Sequence, residues 1–84
     1  MRRNNQERVE ELNEILGPVR EKTGYHFSLL KNARNYVHPY CLCYSWEIKR
    51  SLGFKEMKAM AIRMRGAYDK GGDRMSIYKA IYAD

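Results

Sequence analysis

FKEMKAMAIRMRGAYDKGGDRMSIYKAI, residues 54–81, reads as two helices separated by a turn. Met57, Met60, Ala61 and Met64 fall at i, i+3, i+4 and i+7, so they share one helical face over 54–65. Lys55, Lys58 and Arg65 lie on another face, with Arg63 at its flank. Gly66 is expected to break this helix or let it fray. The run YDKGG at 68–72 has strong turn chemistry. Asp73 is then placed to cap a last helix, whose apolar face is Ile77, Ala80 and Ile81. Tyr78 and Tyr82 flank that face, and Met75 in its first turn is expected to be exposed.

Working toward the N-terminus, Gly53 is a natural stop for a preceding helix over 39–52. Pro39 suits the first position of that helix. Cys41, Leu42, Tyr44, Trp46 and Ile48 spread around its circumference, which predicts a central position. KNARNYVHP at 31–39 reads as a basic loop. The segment YHFSLL at 25–30 is ambiguous. Its alternation of Tyr25, Phe27 and Leu29 fits a strand, while Ser28 followed by Leu-Leu-Lys fits a short helix. A lone strand has no partner for its backbone groups, so a loop and short helix are expected. Val9, Leu12, Ile15 and Leu16 predict a helix over 5–16. Gly17-Pro18 stops or kinks it, a short continuation follows over 18–23, and Gly24 ends that. Together these segments predict an all-α fold. It is a small compact bundle of four to five helices containing a helix-turn-helix-like unit, in a single domain over 1–84 with a frayed basic start at 1–4.

The 84 residues suffice for one core, and 44% apolar content is too high for a disordered tail. No apolar run is long enough for a membrane span, and no secretory signal follows Arg2 and Arg3, so a cytoplasmic protein without a membrane partner is expected. The cysteines Cys41 and Cys43 are spaced C-x-C. On the expected helix they would diverge, which argues against a disulfide and for free thiols in a reducing compartment. With His38 they form H-x-x-C-x-C, which matches no standard zinc spacing, so neither a metal nor a cofactor is expected. Catalysis has little support. There is no phosphate-binding glycine loop and no H-E-x-x-H, and Glu10 and Glu14 read as solvated surface.

Charge is the informative quantity. The net charge is +6. Arg2, Arg3, Arg8, Arg20 and Lys22 are balanced by Glu7, Glu10, Glu11, Glu14 and Glu21, so the excess lies wholly in residues 31–84. A one-sided basic half is the footprint of a surface that meets phosphate, although excess charge also serves solubility. The candidate nucleic-acid-binding residues are Lys31, Arg34, His38, Lys55, Lys58, Arg63, Arg65, Lys70, Arg74 and Ser76. Lysines and arginines supply phosphate contacts, while Arg74 and Ser76 in the first turn of the last helix would face base edges. Tyr36 and Tyr40 beside the basic loop would either stack on bases or pack at the core edge.

The order of these features resembles the C-terminal DNA-binding domain of the bacterial replication initiator DnaA. That family opens its recognition helix with Asp-His-(Ser/Thr)-Thr-Val, and the corresponding run here is Asp73-Arg74-Met75-Ser76-Ile77. Thr23-Gly24-Tyr25 through Leu29-Leu30 resembles the end of its first helix. Arg34 to Pro39 resembles its basic loop, and Glu56-Met57 the start of its helix-turn-helix. The resemblance covers about 19–82. Arg74 stands where the family has histidine, and 56–73 is longer by roughly two helical turns. It implies a long central helix, a helix-turn-helix and duplex-DNA binding, with Arg34 reaching a minor groove. The expected function is therefore a small duplex-DNA-binding regulator of replication or transcription, associated with the nucleoid, with RNA as a less favoured ligand. The alternative is a protein-interaction module, an inhibitor or adaptor that covers an acidic surface of a larger enzyme.

Overall fold

Helix α1 spans Asn5–Leu16 and buries Val9, Leu12 and Leu16 on one stripe. The computed structural model describes residues 5–31, 37–44, 48–50 and 53–82, with side chains described over 5–28 and 53–82. Gly17 ends α1 at a φ of +51°, a left-handed conformation that favours glycine. A Cβ there would also lie 2.6 Å from Nη1 of Arg65. Helix α2, Val19–Thr23, continues after Pro18 and stops at Gly24, as the Gly-Pro and Gly punctuation predicts. The Thr23 hydroxyl is buried but satisfied. It donates to the Val19 carbonyl at 2.8 Å and accepts from the Tyr25 N–H at 3.1 Å.

The middle of the chain is a sheet. Strands β1 (His26–Lys31), β2 (Val37–Tyr44) and β3 (Ile48–Arg50) form an antiparallel sheet in the order β1-β2-β3. The expected loop and short helix over 25–30 and the expected helix over 39–52 are therefore both corrected. The expected basic loop is corrected too, since Lys31 closes β1 and 37–39 belong to β2. Cys41 and Cys43 sit in β2 rather than on a helix. The partner that 25–30 seemed to lack is 37–44, whose proline disguised it. The register explains how Pro39 is tolerated. Ser28 pairs with Cys41 and Leu30 with His38, so Pro39 and Tyr40 stand opposite Leu29 alone. That is a bulge, where a residue without an N–H leaves no gap in the ladder. Pairing with β3 covers Leu42, Cys43 and Tyr44, so Pro39 lies beyond it.

Helix α3 is Phe54–Asp69 and α4 is Arg74–Ile81. Gly66 neither breaks nor ends α3. A mid-helix glycine costs only about 1 kcal/mol relative to alanine. Ala67 and Tyr68 beyond it pack on the core and hold the last turn. The core is one cluster: Val9, Leu12, Leu16, Val19, Tyr25, Phe27, Met57, Met60, Ala61, Met64, Ile77 and Ile81. All but Tyr25 and Phe27 lie on helices, so the helical bundle read from the sequence is where most of the described core resides. The sheet is added to this bundle through β1, which lies against α1. Each large side chain in the cluster contributes about 1.5–3 kcal/mol by leaving water.

β1 is an edge strand, and its outer edge is closed by a side chain. Phe27 N–H donates to Asn13 Oδ1 at 2.8 Å, and Asn13 Nδ2 donates to the Phe27 carbonyl at 3.0 Å. One carboxamide thus takes the place of a neighbouring strand and ties the sheet to α1.

Candidate functional site

The region around the α3–α4 connection holds most of the described candidate residues, and several of them have partners within the fold. Arg63 is engaged. Its Nε donates to the Ala80 carbonyl at 3.0 Å and its Nη2 to the Ile81 carbonyl at 3.2 Å. A guanidinium on the last carbonyls of α4 satisfies acceptors that have no partner in the helix and complements the negative helix end. Arg65 donates to Asp69 at 2.9 Å and packs against Gly17. Lys58 reaches Glu11 on α1 at 3.9 Å while remaining exposed. Lys55, Lys70, Arg74 and Ser76 are exposed. Lys31 pairs with Val37 and His38 with Leu30 through the backbone, while Arg34, Tyr36 and the centre of the expected basic loop lie outside the described residues.

The connection is held from several sides. Gly71 N–H bonds the Tyr68 carbonyl and Gly72 N–H bonds the Ala67 carbonyl, both at 2.9 Å. Lys22 of α2 donates to the Gly72 carbonyl at 3.2 Å and lies 5.6 Å from the centre of the Tyr68 ring. Nothing in the composition of 18–23 marks Lys22 for this role, because it depends on α2 folding back onto a turn fifty residues away in the chain. Asp73 caps α4 as the sequence predicts, accepting from Ser76 N–H at 2.9 Å.

That cap has an electrostatic signature. The Ser76 backbone and side-chain hydrogen bonds hold the Asp73 carboxyl below its ordinary value. A lowered folded-state value means that the cap stabilises the fold at pH above the unfolded aspartate value of about 3.9, and that this contribution disappears as the pH falls through the lowered value. Acid titration followed by amide exchange of α4 should show the helix opening before α3. Asp73→Asn keeps a capping oxygen and should remove that acid-sensitive step, whereas Asp73→Ala should expose the α4 amides at every pH.

Two clefts flank α4. One, of 540 Å³, is lined by Arg63, Gly66, Ala67, Lys70, Gly72 and Ser76. The other, of 420 Å³, is lined by Tyr25, Arg74, Met75 and Tyr78. Arg74 and Ser76, expected to face bases together, therefore line different clefts. The reason is helical geometry: residues two apart are separated by about 200° around the axis. Ser76 shares its cleft with Lys70, and Arg74 shares its own with aromatic and methionine side chains. The exposed residues Met75, Tyr78 and Tyr82 form a second apolar stripe at i, i+3 and i+7, opposite in role to buried Ile77 and Ile81. The exposure of Met75 was expected from the sequence, while Tyr78 and Tyr82 were placed only at the flank of the apolar face.

Among the described residues no helix is long and apolar enough to cross a membrane. Also among them, no group of three or more His, Cys, Asp or Glu side chains comes together to hold a metal ion. No protein-family model, characterised protein or solved structure matches the chain.

Proposed function

We propose that this chain is a small duplex-DNA-binding module that meets the phosphate backbone with the solvent face of α3 and the α3–α4 cleft. The observation that carries this reading is the cleft itself. It is lined by Lys70 beside Gly66 and Gly72, where little side-chain bulk keeps a phosphate oxygen at a distance. Lys55 lies at the far end of α3, so exposed cations stand near both ends of a 16-residue helix about 24 Å long. The uneven charge of the chain, with its excess in 31–84, supports the same reading. So does the resemblance of 73–77 to the DnaA recognition-helix signature. The proposed role is in replication or transcription.

Lys58, Arg63 and Arg65 are engaged within the fold, and the phosphate contacts fall to Lys55 and Lys70, both exposed. Two phosphate contacts predict a slope of about −1.8 for log affinity against log salt, or roughly a 12-fold loss between 50 and 200 mM. Fluorescence anisotropy with a labelled 20-base-pair duplex, its single strands and the matching RNA measures this. Lys70→Ala should weaken binding to all duplex sequences alike and make the slope shallower by about one. A flat salt response, or equal binding by Lys70→Ala, would overturn the proposal.

A further inference from the structure

The outer face of α4 has the make-up of a docking surface and plays no part in the phosphate reading. Met75 and Tyr82 are 59% and 48% exposed, with Tyr78 at 36% between them. These are large apolar groups on a helix whose opposite side already supplies Ile77 and Ile81 to the core. The two tyrosine rings meet edge to face, with centroids 5.4 Å apart and planes at 62°. Such pairing holds each ring in place before any partner arrives. The stripe continues into the 420 Å³ cleft formed with Tyr25, which is itself buried. Methionine, tyrosine and arginine are the side chains that interface centres favour.

The flanks of the stripe say what kind of partner fits. On a helix of 3.6 residues per turn, Met75, Tyr78 and Tyr82 lie within about 60° of one another. Arg74 borders this arc on one side and Lys79 on the other. Both are exposed, and α4 contains no carboxylate between Arg74 and Ile81. An apolar strip with a cation along each margin is complementary to an apolar segment with carboxylates on both margins. It disfavours a second copy of this chain, whose α4 would bring like charges against like.

We propose that this face binds an acidic amphipathic segment of a partner protein. The apolar side chains of that segment enter the Tyr25–Met75–Tyr78 cleft, and its Asp or Glu residues pair with Arg74 and Lys79. The proposal goes beyond DNA binding and does not depend on it, because Lys70 and Ser76 line the other cleft.

The test uses the full chain and a displayed library of random 12-residue peptides. Enriched peptides should carry two or more Asp or Glu residues around Leu, Met or aromatic residues. Their synthetic versions should shift the Met75 methyl signal in a saturable way. Tyr78→Glu should weaken them roughly tenfold or more, Met75→Glu should act likewise, and Lys70→Ala should leave them unchanged. The double variant Arg74→Glu/Lys79→Glu should instead prefer versions in which Lys replaces the acidic residues. These positions are exposed, so circular dichroism should show an unchanged fold for each variant. No enrichment, enrichment of basic or neutral peptides, or unaltered binding by both glutamate variants would each overturn the proposal. So would a Met75 shift caused by duplex DNA or by self-association in place of the acidic peptides.

Discussion

Asn13→Leu should unfold much of the domain at temperatures where the parent chain is stable. The side chain is nearly isosteric, so little packing volume changes. What disappears is the pair of hydrogen bonds to the Phe27 N–H and carbonyl, at 2.8 and 3.0 Å. Both backbone groups would then face an apolar side chain with no partner, at about 1–3 kcal/mol each. Their partial access to water lowers the total to about 2–4 kcal/mol. A domain of this length has a total stability of roughly 4–13 kcal/mol. The expected fall in melting temperature is roughly 10–25 °C by calorimetry. Asn13→Asp separates the two bonds: it retains an acceptor for the Phe27 N–H and loses the donor to the carbonyl, so it should fall between. A melting temperature within a few degrees of the parent for Asn13→Leu would show that the edge of β1 is not held by this amide.

Gly72→Ala should be the second most damaging change, and its effect should reach the proposed phosphate cleft. A Cβ at Gly72 would lie 2.6 Å from the Ala67 carbonyl oxygen and 3.1 Å from the Ser76 Cβ. The first of these atoms is backbone, and it already accepts the Gly72 N–H. No rotamer change relieves the contact, so the connection must shift. That shift also disturbs the Lys22 bond to the Gly72 carbonyl. Overpacking of this kind costs about 2–3 kcal/mol. Denaturant melts should show a lower midpoint with an unchanged slope. Duplex affinity should fall even where the variant is fully folded, because the turn that shapes the cleft beside Lys70 is displaced. A Gly72→Ala protein with parental stability and affinity would contradict the geometry of the turn.

Both predictions rest on contacts between residues far apart in the chain, and that is where sequence and structure part company. The helices α1, α3 and α4 were legible because Leu12 with Leu16, Met57 with Met64 and Ile77 with Ile81 repeat at helical spacing. Burial of such a stripe is decided by local periodicity and the composition of one segment. The Asp73 cap was legible for the same reason, since its partner Ser76 lies three residues away. Strand β1 was visible as alternation but discounted for want of a partner. The partner, 37–44, carries Pro39, which in isolation reads as a helix start. Only pairing against Leu29 turns that proline into the bulge that the ladder tolerates.

The candidate site divides in the same way. Sequence by itself determined which residues are cationic, that the excess lies after residue 30, and that 54–81 forms two helices around a turn. It could not say which cations are spent inside the fold. Arg63 and Lys70 look alike in the sequence, yet one binds the end of α4 and the other faces solvent. Tertiary structure alone decided that, whereas the separation of Arg74 from Ser76 into two clefts follows from their spacing on one helix. The physical reason is that charge and periodicity belong to the chain, whereas a guanidinium's partner is set by which helix end is brought within hydrogen-bonding distance of it.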